Sequence, residues 1–183
     1  SLQFNRYDNG LYLGNGTNKY LVLVKPKTYG IKNITINDGC KTIIDYAFRD
    51  CGSLSSITIP DSVTNIGDSA FAYCSSIMSV SIGNGVTSIG SSAFFYCSSL
   101  TSITIPDSVT SVGSRAFSNC TSLTSVTIGN GVTNIGDYAF DYCTSLKTIN
   151  YKGRKEQWVS ISKGVNWNYN TGRYTINYNY VEN

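Results

Sequence analysis

The feature that most constrains this chain is an internal repeat with a period of 23 residues. One row of cysteines and one row of phenylalanines recur at that step through the middle of the sequence. The cysteine row is Cys51, Cys74, Cys97, Cys120 and Cys143, and the phenylalanine row is Phe48, Phe71, Phe94, Phe117 and Phe140. A unit of 23 residues cannot bury its own apolar face, so neighbouring copies must stack into a solenoid.

The repeated unit can be read as L-x-x-I-x-I-(P/G)-(D/N)-(S/G)-V-T-x-I-G-x-x-A-F-x-x-C-x-x. The alternating apolar residues near its start, such as Ile57 and Ile59, have the period of a strand with one face inward. Val63 and Ile66 predict a second, short strand on the far side of the coil. The Ala-Phe-x-x-Cys segment predicts one short helical turn, and the Asp or Ser before it is typical of a helix N-cap.

Two details modify the simple repeat. The turns Pro60-Asp61-Ser62 and Pro106-Asp107-Ser108 alternate with Gly83-Asn84-Gly85 and Gly129-Asn130-Gly131, which gives a longer period of 46 residues. In the first copy Ile44 stands where the later copies have glycine. A β-branched residue is costly at positive φ, so either this glycine position is not left-handed or the first copy is distorted.

The repeated unit resembles the leucine-rich repeat of the BspA type, a bacterial class, over residues 31–150. The resemblance implies a repeat solenoid that is α/β-like but mainly β, a right-handed coil with parallel strands on one face. It also implies an extracellular or cell-surface protein, associated with adhesion to host matrix proteins and to other bacteria. The asparagine row of the general leucine-rich repeat is absent from the sequence.

The sequence divides into three parts. Residues 1–30 predict an N-terminal β-hairpin cap with its turn at residues 14–19. Residues 31–150 predict the solenoid, with about five repeats and a final strand. Residues 151–183 predict a C-terminal cap with a short helix near residues 156–162 and a strand that carries an aromatic face. Caps are expected because a solenoid must cover its open ends.

Composition argues against several classes of function. The chain has no histidine, so the usual general base and the Ser–His and Cys–His pairs of enzymes are missing. We therefore predict no catalytic residues, no cofactor and no metal site, since there is also no C-x-x-C pair. The formal net charge is only +3 without a basic stripe, which argues against nucleic acid.

No apolar run approaches the roughly 20 residues of a membrane helix, so we expect no membrane insertion by these residues. The sequence does not open with a charged segment followed by an apolar one, and a secretion signal is therefore absent from the 183 residues given. We expect the module to be monomeric.

The cysteine row has two interpretations. Stacked strands lie about 4.8 Å apart, which is within the Cα distance of a disulfide. However, equivalent side chains of a solenoid project in parallel, whereas a disulfide needs Cβ vectors that turn toward each other. We favour free thiols that pack as small apolar side chains.

Two surfaces are candidates for ligand binding. The outward residues of the strand face are small, uncharged hydroxyls: Thr58, Ser81, Thr104 and Thr127 in one row, with Ser79 and Ser102 in the next. The edge beside the cysteine row carries aromatic residues, chiefly Tyr73 and Tyr96. The strand face would suit a protein from the host matrix or a bacterial surface, and the aromatic edge would suit a glycan. The third alternative is a spacer that binds nothing itself.

Overall fold

The computed structural model describes residues 1–181, and each copy of the repeat forms one coil of a mainly β solenoid of about seven turns. We call each coil a rung; rungs 1 to 5 begin at residues 31, 54, 77, 100 and 123, and rung 6 begins at residue 146. Equivalent residues in neighbouring rungs pair directly, as Ser56 pairs with Ser79. No helix within residues 1–181 has the length and apolar character needed to cross a membrane.

Two stacks of parallel strands run along the solenoid. The strand face consists of β5 (Ser56–Ile59), β7 (Ser79–Ile82), β9 (Ser102–Ile105), β11 (Ser125–Ile128), β13 (Thr148–Tyr151) and β15 (Thr175–Asn177). The far side consists of β4 (Thr42–Ile43), β6 (Asn65–Ile66), β8 (Ser88–Ile89), β10 (Ser111–Val112), β12 (Asn134–Ile135) and β14 (Ser162–Lys163). On the strand face β5 pairs with β7, and β9, β11, β13 and β15 form a four-stranded sheet.

The core is a column of phenylalanine rings between the two stacks of strands. Successive rings of the phenylalanine row lie 5.0, 5.1, 5.3 and 5.1 Å apart between centroids, with their planes within 10° of parallel. All five rings are buried. The cysteines lie beside them, and the Cys97 thiol, for example, donates to the Phe71 carbonyl of the preceding rung at 3.3 Å. The rows found in the sequence are therefore continuous columns in space.

The segment between the far-side strand and the cysteine is not helical, so the predicted helical turn is wrong. In every rung two residues of this segment have a left-handed backbone, as at Ser69 (φ 53°) and Tyr73 (φ 62°). Backbone N–H groups bond to the next rung, where Phe71 N–H donates to the Ala93 carbonyl at 2.7 Å. The apolar spacing that suggested a helix also fits this pair of tight turns.

The N-cap role predicted for the acidic residue before this segment is also wrong. The Asp45 carboxylate accepts from the Asp68 N–H of the next rung at 2.8 Å, and the Asp68 carboxylate accepts from the Ser91 N–H at 2.7 Å. These carboxylates therefore tie one rung to the next. No helix is present in rungs 1 to 5.

The repeated glycine of the far side is required by close packing and not by its φ. No glycine among the described residues has a positive φ. A Cβ on Gly90 would lie 2.6 Å from the Gly67 carbonyl carbon of the preceding rung. Ile44 is tolerated in rung 1 because no such rung precedes it; β3 (Val22–Pro26) lies there instead. Ile44 packs against the core.

The 46-residue alternation has a steric cause. A Cβ on Gly85 would collide with the carbonyl oxygen of Asp61 in the preceding rung, and Gly131 meets Asp107 in the same way. The Gly-Asn-Gly turn therefore fits closely onto a Pro-Asp-Ser turn. The Asp61 carboxylate also accepts the Asn84 N–H at 2.7 Å, which fixes the two turns together.

A row of threonines on the far side bonds one rung to the next. Each hydroxyl donates to a carbonyl of the preceding rung at 3.1 or 3.2 Å. The row is Thr64, Thr87, Thr110 and Thr133.

At the N-terminal end, β1 (Gln3–Tyr7), β2 (Gly10–Gly14) and β3 form an antiparallel meander, and β3 pairs with β4 in parallel. Side chains from this meander bond to the backbone of rung 1. The Thr35 N–H donates to the Asp8 carboxylate at 2.7 Å, and the Asn37 N–H donates to the Tyr12 hydroxyl at 3.1 Å. The first rung is therefore covered by backbone pairing with β3 on the far side and by side chains of the meander at Thr35 and Asn37.

At the C-terminal end, rung 6 continues the solenoid in a modified form. The turn after β13 is longer than in other rungs and contains α1 (Lys155–Ser160). The chain then returns to the far side as β14 and to the strand face as β15. The Trp167 ring continues the phenylalanine column, 6.3 Å from Phe140 and perpendicular to it. Strand pairing therefore extends through residue 177.

Candidate functional site

Three depressions on the strand face share their walls and form one groove, which we call the strand-face groove. The first lies over Thr35 and Thr58, the second over Thr58 and Ser81, and the third over Ser81 and Thr104. The strands hold these side chains outward because Ile57, Ile59 and their equivalents point into the core. The groove therefore runs across the strands from rung 1 to rung 4.

Exposure along the hydroxyl row decreases toward the C-terminus. Thr58 and Ser81 are exposed, Thr104 is half-buried, and Thr127 is only 7% exposed. The side chain opposite Thr127 on β13 is the larger Asn150, which is also buried and accepts from the Asn177 amide. The prediction that Thr127 lies on a ligand surface is therefore wrong. Ser79 and Ser102 of the neighbouring row are exposed.

The groove has an uncharged floor and charged ends. Asp38 lines the first two depressions and Asp61 the second, so the N-terminal part carries carboxylates. Lys152 lines the third depression together with Thr104 and closes the other end. These three residues are not among the candidates drawn from the hydroxyl rows, because they lie in the turns beside the strands.

The aromatic edge is packed within itself. The rings of Tyr73 and Tyr96 stack at 5.4 Å with an interplanar angle of 19°, and Phe95 meets both rings edge-on. The Arg49 guanidinium lies 5.6 Å from the Tyr73 centroid. Tyr73 and Tyr96 are 39% and 44% exposed, which is less than Tyr46 at 55%. Further along this edge Tyr142 contacts Tyr169.

The six cysteines are free and buried. Burial raises the pKa of the Cys51 thiol to about 11 and the pKa of Cys97 and Cys120 well above the ordinary thiol value. A protonated thiol is a poor nucleophile and a poor metal ligand at neutral pH. Within residues 1–181 no group of three His, Cys, Asp or Glu side chains is placed to hold a metal ion.

Comparison with known families and structures gives consistent matches. The model of the BspA type leucine rich repeat region matches six copies over residues 27–147. A leucine rich cell surface protein of Faecalibacterium prausnitzii A2-165 is 34% identical with a TM-score of 0.80. That match covers 87% of this chain but 42% of the other, so this chain spans less than half of its relative.

Two more distant structures have the same fold. A leucine-rich repeat protein of T. pallidum is 22% identical over 89% of this chain and 83% of its own, with a TM-score of 0.61. The pneumococcal vaccine antigen PcpA is 22% identical over 84% of this chain and 38% of its own, with a TM-score of 0.69. No curated protein sequence matches the chain.

Proposed function

We propose that this chain, which belongs to the BspA type leucine-rich repeat family, is an extracellular or cell-surface module that binds a protein through the strand-face groove. The observation that carries the proposal is the continuity of that groove over rungs 1 to 4. The cell-surface relative from F. prausnitzii supports the location. We propose that the module acts as a monomer in adhesion to host matrix or bacterial surface proteins.

The dimensions and chemistry of the groove suit an extended protein segment. Four rungs at about 4.8 Å spacing give a floor of roughly 14 Å, which is the length of about four extended residues. Hydroxyls such as Thr58 and Ser81 can donate to and accept from a backbone that crosses them. The floor has no Trp, Tyr or Arg of the kind that dominates tight interfaces, so we expect modest affinity.

The proposal is tested by placing a bulky charge in the groove. Ser81→Arg should weaken binding at least tenfold because its side chain fills the floor between the second and third depressions. Ser76→Arg is the matched control, since Ser76 is exposed but lies in the turn after the cysteine row, away from the groove. Binding of both variants and the natural chain to immobilised fibronectin and collagen is measured by surface plasmon resonance.

The outcomes separate the functions considered. Loss of binding in Ser81→Arg alone supports the groove as the site. Equal binding by all three proteins would overturn the strand-face site. No binding to either matrix protein at millimolar concentration would contradict matrix adhesion and favour a spacer, which the uniform hydroxyl floor would also suit.

A further inference from the structure

The junction between the N-terminal meander and the aromatic edge contains an open depression that is separate from the strand-face groove. It encloses about 310 Å³ and is lined by Tyr29, Tyr46, Arg49 and Asp50. Tyr29 and Tyr46 are 61% and 55% exposed, which is more than Tyr73 or Tyr96. In later rungs the preceding copy stacks against the equivalent position, whereas no copy precedes rung 1 and the loop that carries Tyr29 lies alongside Tyr46 instead.

The two tyrosines give this depression an aromatic wall. The guanidinium of Arg49 is 5.6 Å from the centroids of both Tyr46 and Tyr73, so it lies between the two rings. A cation thus lies over Tyr46, and its ring still lines the depression together with Tyr29 and remains 55% exposed. An aromatic face is electron-rich and attracts C–H groups that carry a slight positive charge.

Polar groups stand next to this aromatic wall. The Arg49 Nε lies 3.6 Å from the Asp50 carboxylate, and both side chains are well exposed at 46% and 68%. Asp50 and Tyr46 have left-handed backbones, with φ of 62° and 60°. A carboxylate can accept from two adjacent hydroxyls, and a guanidinium can donate to ring and hydroxyl oxygens.

We propose that this depression is a binding site for a single neutral hexopyranose, such as the terminal sugar of a glycan. A pyranose ring has an apolar C–H face that fits the Tyr46 ring and adjacent hydroxyls that fit Asp50 and Arg49. Small-ligand sites combine an apolar wall with a few polar groups in this way. The glycan surface thus differs from the one that the sequence suggested, in which Tyr73 is covered by both Arg49 and Tyr96.

The site is tested by nuclear magnetic resonance titration with the methyl glycosides of glucose, galactose and mannose. Sorbitol is the negative control ligand, since it has the hydroxyls of a sugar without the rigid C–H face. We expect at least one glycoside to bind with a Kd of about 1 mM, a value typical of a small contact area. The shifts should centre on the backbone amides of Tyr46, Arg49 and Asp50.

Substitutions identify the residues responsible. Tyr46→Asn removes the ring and retains a residue that tolerates positive φ, so the turn should keep its shape. Tyr138→Asn is the matched control: Tyr138 occupies the same repeat position as Tyr46 with φ 56°, but Arg115 of the preceding rung lies over its ring, on the side where Tyr46 has the loop of Tyr29. We expect at least tenfold weaker binding in Tyr46→Asn and no change in Tyr138→Asn.

Several outcomes would overturn this site. These are no binding of any of the three glycosides at 50 mM, equal binding of sorbitol, and shifts centred on Tyr96 or Tyr142. Equal loss in the two variants would also contradict it. Circular dichroism melting of both variants shows that each is folded before its titration is interpreted.

Discussion

Replacing Phe94 by alanine tests whether the stacked phenylalanines hold the rungs together. Phe94 is fully buried, and its ring lies 5.1 Å from Phe71 and 5.3 Å from Phe117. Truncation of a buried phenylalanine to alanine costs about 3–5 kcal/mol. Each aromatic pair adds about 0.5–1.5 kcal/mol beyond area burial. Since the range for truncation already includes ring contacts, the two pairs place Phe94→Ala in its upper half, at about 4–5 kcal/mol.

Two further variants separate the contributions. Phe48 is equally buried but stacks on one phenylalanine only, at 5.0 Å from Phe71. Phe48→Ala should therefore cost about 1 kcal/mol less than Phe94→Ala, the value of one ring pair. Phe94→Leu fills most of the cavity but loses the stacking, and should cost about 1.5 kcal/mol.

The assay is urea unfolding followed by circular dichroism and by tryptophan fluorescence. Repeat proteins can unfold in parts, so the two signals must coincide before a free energy of unfolding is assigned. Trp158 and Trp167 report the C-terminal rung, and circular dichroism reports the whole solenoid. The reasoning would be refuted by a loss under 1.5 kcal/mol for Phe94→Ala, or by equal losses in Phe94→Ala and Phe94→Leu.

Two other predictions concern the thiols and the glycines. The folded pKa of the buried thiols is raised, so their stabilising effect is complete below the unfolded thiol pKa of about 8.5 and is lost as pH rises further. Melting temperature should therefore fall from pH 8.5 to 11, and a Cys97→Ala variant should show a smaller slope; an identical slope would contradict this. Gly90→Ala should lower the free energy of unfolding by about 2 kcal/mol because the added Cβ meets the preceding rung. Gly16→Ala, where the added Cβ has open space, should change it by less than about 0.5 kcal/mol in the same urea assay; equal effects would show that the glycine column is not close-packed.

The core of this protein can be predicted from its sequence because the same apolar positions recur in every copy. Leu54, Ile57, Val63 and Ile66 are all buried, as the repeat indicates. Because such a position must face inward in five successive rungs, each copy is restricted to an apolar residue there. The family resemblance drawn from these positions is confirmed over residues 27–147.

The backbone of the turn before the cysteine could not be predicted in the same way. Its left-handed positions are occupied by residues such as Ser69, Tyr73 and Arg115, none of which signals a positive φ. Hydrogen bonds between neighbouring rungs determine that backbone conformation. The order of residues within one copy does not indicate those bonds. The repeat also does not predict that Trp167 continues the phenylalanine column. In rung 6 the turn that contains α1 is longer, so Trp167 does not follow Phe140 at the 23-residue spacing.

The surface was predicted only in part. The alternation within each strand correctly places Thr58 and Ser81 outward. Thr127 is buried because larger side chains follow it in the next rungs. The charged ends of the groove are formed by residues of the turns, Asp38, Asp61 and Lys152. Both depend on what lies beside a residue in space, which the repeat pattern does not specify.

The close fit of the Gly85 turn onto the Asp61 turn has a consequence for how such a chain can lengthen or shorten. Deletion of rung 3 would bring the Pro-Asp-Ser turns of rungs 2 and 4 together, and Ser108 would then place its Cβ where Gly85 meets the Asp61 carbonyl. Deletion or duplication of 46 residues would keep every glycine turn on a Pro-Asp-Ser turn. We therefore expect the pair of copies to be the unit of duplication in this chain, and repeat numbers engineered into it to be tolerated in steps of two.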